Sequence, residues 1–406
     1  MANRTISNTG GHWSSNATWV EGSPPDNTMD VVATGTSGPV DIDTTTCVCK
    51  SMVLTGYTAL MTFTAAKVLT VSGNVTFAST HTLTGTGTLK VNAAATLTSG
   101  TLTFPGALTI SVAATIAWGD NWTVTGTVTQ DTGAGVWNGN QITANTSFTA
   151  TTAISGTTLI VMGGTGTIST GGSSVAISNP ITINTLGTIT IGANIAIGTG
   201  CVFTWIAGII SGTSGTNIWT RGNATFDLKG TALPTFRFNV SATITLLSNF
   251  KATYLSISTT ATFSGAFNVE CDYFQDEFSF VNGGARLIMQ SGTTIQVNKT
   301  SYISGDAYIS PTLILIASSI ASSPINFVFL GTANNWICTQ MNFTDVNMTG
   351  SVMSPMPNYW GGALTRCTGI VNYVPTDRKI GYTPVGMKYG SDGAPEMLTF
   401  KPASVS

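Results

Sequence analysis

Residues 68–91 read Val68-Leu-Thr-Val-Ser-Gly-Asn-Val-Thr-Phe-Ala-Ser-Thr-His-Thr-Leu-Thr-Gly-Thr-Gly-Thr-Leu-Lys-Val91, and this stretch decides the fold. Apolar and hydroxyl residues alternate within Val68–Ser72, Asn74–Phe77, His81–Thr84 and Gly87–Val91. That period of two belongs to strands with one buried face. The pieces are three to five residues long and are separated by single Gly or Asn positions. Hairpins are usually closed by two-residue turns with positive φ. Single Gly or Asn residues bend a chain without reversing it, so the strands run on in one rotational sense. Stacking the resulting coils pairs each backbone group with the coil above or below. The competing reading, a multi-sheet sandwich, needs reversing turns that this stretch does not supply.

Working outward, Val68–Leu89 lies over Ala107–Val128 at an offset of 39 residues. Leu69 falls on Leu108, Val71 on Ile110, Phe77 on Ile116, Leu83 on Trp122, Gly87 on Gly126 and Leu89 on Val128. Coils of about 20 residues make this offset two turns. The triplets Ile181-Thr-Ile, Ile189-Thr-Ile and Ile195-Ala-Ile suit the short sides of a single turn. The expected fold is all-β: a single-stranded parallel β-helix, or β-solenoid, with an N-terminal cap and an extended C-terminal segment. Some 320 residues at about 4.8 Å per coil would make a rod roughly 75 Å long.

Composition agrees. Thr is the commonest residue, with 72 copies, and its branched Cβ suits a pleated surface. Charged residues are only 8% of the chain, against roughly 25% in an average soluble domain. From Thr132 to Thr220 there is no Asp, Glu, Lys or Arg. Thr, Ser, Asn and Gly replace them as polar surface, while recurrent Ile, Val and Trp supply a core.

Four regions follow. Residues 1–50 form an N-terminal cap segment, with Trp13 to Val32 closing the end of the rod. Residues 51–220 form the regular Thr/Gly-rich β-helix. Residues 221–374 continue it less regularly, with charged and aromatic residues returning; Thr falls from 37 in residues 51–200 to 17 in the last 156. Residues 375–406, rich in Pro and Gly, read as an extended arm or terminal cap.

The net charge of −2 leaves no electrostatic footprint for nucleic acid or an anionic membrane. The first ten residues are polar and lack a signal-peptide core, so Sec-type secretion is not expected. The most apolar run, Leu313 to Leu330, is broken by serines and Pro324 and reads as strand pieces rather than a membrane span. Cys47 and Cys49 share a strand face, and with no His or further Cys nearby they read as buried small apolar groups rather than half a metal site. No metal site or cofactor is expected.

The opening Gly11-His-Trp-Ser-Ser-Asn-Ala-Thr-Trp19, Pro24-Pro25 and Asp30-Val-Val resembles the start of many right-handed β-helix surface proteins. The Thr/Gly/Val repeats and Asn342-Phe-Thr-Asp-Val look like fibre, spike and decoration proteins of tailed bacteriophages. The resemblance implies a homotrimeric virion protein, made without a signal peptide in the bacterial cytoplasm. Its partners would be itself, other virion proteins and a host surface glycan.

Catalytic candidates are few. There are two His, His12 and His81, far apart in the chain, and no Gly-x-Ser-x-Gly, His-Glu-x-x-His or phosphate-binding loop. The one acidic cluster is Glu270-Cys-Asp-Tyr-Phe-Gln-Asp-Glu277. Glycoside hydrolysis needs two carboxylates roughly 5–9 Å apart, and Glu270 and Asp272 share a strand face. Glu270, Asp272, Asp276 and Glu277 are therefore the catalytic candidates, set against a solvated loop or an ion-pair patch. Trp336, Tyr359 and Trp360 are candidate glycan platforms, set against cap or core aromatics. Asp120 and Asp131 are isolated and read as turn markers. Three functions fit these residues: a non-enzymatic rod of a phage particle, a polysaccharide-degrading tailspike, and a bacterial surface adhesin.

Overall fold

The computed structural model describes residues 2–172, 174–192, 194–212, 217–276, 286–304, 314–330, 336–339, 341–350, 359–360 and 364–368. The chain is a β-solenoid of about 13 turns. The coils have three sides, here called faces A, B and C; in the first half most sides are short separate strands, whereas strands such as Ile181–Ile191 and Phe250–Ile257 span two sides, and like sides of successive coils pair in parallel.

Residues 68–91 make one coil and the start of the next. Val68–Val71 lies on face A, Val75–Phe77 on face B and Thr82–Gly85 on face C; Thr88–Val91 then returns to pair with Val68–Val71. The isoleucine triplets likewise occupy three sides of one turn. Ile181–Ile183 pairs on face C, Ile189–Ile191 on face A and Ile195–Ile197 on face B. All six of these Ile are buried.

The alternation read from sequence sets the burial. On face A, Cys47, Leu69, Leu89, Leu108, Val128, Phe148, Ile168 and Ile191 stack inward, one coil upon the next. Thr70, Lys90, Thr109, Thr129, Thr149 and Ser169 form the outward row beside them. Some outward hydroxyls bond along the row, as Thr190 and Ser211 do at 3.1 Å. Cys47 and Cys49 are both buried, and burial pushes the Cys49 thiol well above its ordinary range.

The 39-residue offset holds on face A, where Leu89 pairs with both Leu69 and Leu108, and Leu108 with Val128. It fails on face B. There Val75 stacks on Leu97 and Leu97 on Trp118, so Phe77 does not meet Ile116, which pairs with Ala95 and Trp137. The corners that follow the strands differ in length from coil to coil, and each difference slips the next rung.

Corner glycines do more than bend the chain. A Cβ on Gly106 would lie 1.9 Å from the Gly87 carbonyl oxygen, and one on Gly126 would lie 2.5 Å from that of Gly106. Neither position needs a left-handed backbone. The constraint is the close approach of successive coils.

Asn side chains clip coils together at other corners. Asn74 Oδ1 accepts the Thr96 N–H at 2.8 Å, Asn121 Oδ1 that of Gln141 at 3.1 Å and Asn223 Oδ1 that of Thr243 at 2.8 Å. Asp120 acts similarly, its two oxygens taking the Ser99 and Gly100 N–H groups. These bonds serve backbone donors that no strand partner reaches.

The segment 1–50 contributes rungs to the same stack, since Asn3–Thr5 pairs with Asp30–Val32 and the latter with Ser51–Leu54. It also folds back over the first rung. Val20 N–H donates to Thr5 O, and the Glu21 carboxylate takes the Thr5 N–H at 2.8 Å. Trp13 and Trp19 pack edge to face beneath, with centroids 4.9 Å apart. An edge that would template further pairing is thereby covered. Residues 375–406, read as an arm or cap, lie outside the described residues.

Candidate functional site

The acidic strand Val269–Asp276 runs along face A and turns onto face B. Its apolar residues Val269, Cys271 and Phe274 point inward and are buried. Period two then turns Glu270 and Asp272 outward. The rungs on either side supply their counter-charges. Lys251, paired with Glu270 in the ladder, places Nζ 2.8 Å from Glu270 Oε1. Lys299 Nζ stands 2.7 Å from Asp272 Oδ2.

Asn298 joins the two carboxylates. Its Nδ2 donates to Glu270 Oε1 at 2.9 Å and to Asp272 Oδ1 at 3.2 Å. At most about 6 Å, the sum of these two bonds, therefore separates the two accepting oxygens; retaining glycoside hydrolases hold their carboxyl groups about 5–5.5 Å apart. Gln296 orients the amide by donating to Asn298 Oδ1 at 2.7 Å.

The protonation states run the other way. The Lys251 ammonium first, then the Asn298 amide, hold the Glu270 carboxyl below its ordinary range. The Lys299 ammonium does the same for Asp272, against the upward push of burial and with help from Asn298. Both groups are ionised at neutral pH. A general acid for glycoside cleavage instead needs its carboxyl pushed up.

Beside this network lies an aromatic pair. Tyr254 and Tyr273 are ladder partners with rings stacked at 4.4 Å and 11°. Lys299 lies over the Tyr273 ring, 5.5 Å from its centroid. Stacked rings, ammonium groups, carboxylates and an amide thus form one pre-ordered strip at the corner of faces A and B. Ring edges and polar groups of this kind suit hydroxyl-rich ligands.

Glu270 and Asp272 are brought together as their spacing implied. The backbone of Asp276 ends the same strand opposite Ile257, while Glu277 lies outside the described residues. Trp336 begins the strand Trp336–Thr339 on face B, paired with Ser301; Tyr359 and Trp360 pair with Cys338 and Thr339 of that strand. The side chains of these four residues lie outside the described set. Sequence reasoning missed Lys251, Tyr254, Tyr273, Asn298 and Lys299. One signal was available: Lys251 to Glu270 and Tyr254 to Tyr273 are both steps of 19 residues, close to one coil.

Among the described residues, no group of three or more His, Cys, Asp or Glu is placed to hold a metal ion. Comparison with protein-family models, curated proteins and solved structures finds no match to this chain.

Proposed function

We propose that this chain is a structural component of a tailed-bacteriophage particle (a fibre, spike or capsid decoration) that works as a rigid β-helical rod. It acts as a homotrimer alongside other virion proteins, and its outer strip touches a host surface glycan. The observation that carries this reading is the stack of parallel rungs from Asn3 to Thr368, in which face B pairs rung to rung without a break from Asn3 to Trp360 and makes bending costly. The motifs behind the phage resemblance also have mechanical places. Trp13 and Trp19 pack under the end closure, and Asp345 of Asn342-Phe-Thr-Asp-Val clamps a corner. Both Asp345 oxygens accept from the Arg366 guanidinium at 2.6 Å, and Oδ1 also takes the Ser322 N–H, so three coils are tied at one residue. The test is to image the source particle with this protein labelled. Label on tail or capsid is expected, and a purified chain that stays monomeric and never joins particles overturns the reading.

The separation of Glu270 and Asp272 favours a second reading, a polysaccharide-degrading tailspike. Incubating the full chain with a panel of capsule and lipopolysaccharide preparations separates the two. The rod reading expects no new reducing ends or unsaturated products. Cleavage that Glu270→Gln or Asp272→Asn abolishes would establish the enzyme instead.

A further inference from the structure

The ladder of face C breaks between residues 85 and 103. Thr82–Gly85 pairs with Leu60–Phe63 below it, and no described strand pairs with it from above. Thr103–Phe104, the same side of the next coil, pairs onward with Trp122–Val124. Side chains hold the two rungs instead. Gly85 stands over Phe63 without a side chain, and Phe104 reaches past it to pack edge to face on Phe63, with centroids 4.8 Å apart. Leu83 is partly exposed there, although its ladder partner Met61 is fully buried. The break is thus a seam that brings solvent to the edge of the interior.

A titratable group closes the corner that leads into the seam. His81 is 3% exposed, and its ring packs on Tyr57 at 5.3 Å and Phe77 at 5.2 Å. Its Nδ1 accepts the Ala78 N–H at 3.3 Å, while its backbone N–H donates to Ala78 O at 3.5 Å. The neutral imidazole therefore carries its proton on Nε2. That nitrogen is buried with no hydrogen-bond partner among the described residues. A second proton would sit on Nδ1 and face the Ala78 N–H, donor against donor. It would also bury a charge without a counter-ion.

The surroundings offer no such counter-ion. Residues 55–63 on the coil below, 74–85 on the same coil and 99–104 on the coil above hold no Asp, Glu, Lys or Arg. Tyr57 is a phenol that burial keeps neutral, bound to the Gly38 and Leu60 carbonyls at 2.9 and 3.0 Å. The acids beyond are engaged elsewhere. Asp41, two rungs below Thr84 on the outward row, stands 3.7 Å from His12. Asp120, two coils up, takes the Ser99 and Gly100 N–H groups. Burial accordingly pushes His81 down to about 4, against about 6.5 for the ordinary side chain.

We propose that the seam between Thr82–Gly85 and Thr103–Phe104 is an acid-triggered opening in the rod, closed while His81 is neutral and released when its imidazole takes a proton. The opened corner binds that proton more tightly than the closed one. Closure is therefore fully present above about pH 6.5 and is lost as pH falls toward about 4.

The test is hydrogen exchange on the full chain at pH 7 and pH 5, corrected for intrinsic rates. Amides of residues 78–104 should exchange at least about tenfold faster at pH 5, while those of residues 132–220 hold. His81→Asn keeps an acceptor for the Ala78 N–H without a titrating ring and should abolish the acceleration. Asp120→Asn should leave it in place. Equal exchange at the two pH values overturns the proposal, as does acceleration that survives His81→Asn or is abolished by Asp120→Asn. If His81→Asn fails to fold, NMR titration of the wild type decides, since the chain has two His. A His81 midpoint well below 6.5 that coincides with the opening supports the proposal, and one at or above about 6.5 overturns it.

Discussion

The coils from 132 to 220 and those from 232 to 304 wind alike but are tied differently. The first set has no Asp, Glu, Lys or Arg. Its interior is Trp and Ile, with Trp137 packed edge to face against Trp118 at 5.4 Å and Phe148 at 5.9 Å. One buried polar side chain helps close it. Gln130 takes the Trp137 indole N–H and donates to the Val112, Thr132 and Gly133 carbonyls. The second set has a phenylalanine interior, in which Phe236, Phe250 and Phe263 touch in sequence. Ion pairs between rungs lie outside it. Asn clips hold backbone N–H groups in both sets, that of Gln141 by Asn121 from the coil before and that of Asn268 by Asn249. A parallel coil therefore needs an apolar interior and satisfied corner amides; charges are an addition that one half uses.

The largest effect expected is on the interior. Trp137→Ala should cost about 3–5 kcal/mol, and Phe250→Ala in the charged half a similar amount. Peptide-resolved hydrogen exchange should show the loss confined to adjacent coils, because each coil touches only its neighbours. If one substitution is silent while the other unfolds its region, the two interiors are not equivalent.

A smaller effect is expected at the clips. Asn121→Ala strips the Gln141 N–H of its acceptor and should cost about 1 kcal/mol, as should Asn249→Ala at the Asn268 N–H. Equal shifts in denaturation midpoint would sharpen the view that clips are common to both halves. A shift in one half only would break it.

The smallest effect belongs to the ion pairs, which are partly exposed; Lys251→Met should cost less than about 1 kcal/mol and matter less in high salt. The pH dependence has a fixed sign. Glu270 and Asp272 have folded pKa values below their unfolded ones. Their stabilisation is therefore fully present above the ordinary carboxylate range and is lost as pH falls through the folded values. Acidification below about pH 4 should loosen residues 250–304 before residues 132–220, which carry no carboxylate side chain. Exchange corrected for its intrinsic pH dependence checks this, and simultaneous loosening would show that the pairs add nothing.

Legibility varied with distance along the chain. Neighbouring positions were readable: Thr70 outward and Leu69 inward follow from alternation alone, as do Glu270 and Asp272 on one side of a strand. Positions one coil apart were readable only where corners keep their length. Leu69 over Leu108 and Leu89 over Val128 were visible as a two-coil repeat, whereas Val75 over Leu97 over Trp118 was not, because the intervening corners vary. The glycines at 87, 106 and 126 looked like bends. Their contact with the coil below comes from stacking, which no local pattern records. The candidate site was half legible for the same reason, with its carboxylates two residues apart and their partners Lys251 and Asn298 a coil away in either direction.

The sequence by itself determined that the chain is a parallel solenoid. A period of two fixes which side of each strand is apolar, and corners too slight for reversal fix the sense of winding. Only the tertiary structure decided that Lys251, Glu270, Asn298, Asp272 and Lys299 form one network. Contacts between coils depend on the summed length of every intervening corner. A slip of one residue moves a side chain to the opposite face, so these meetings are set by stacking geometry rather than by local pattern.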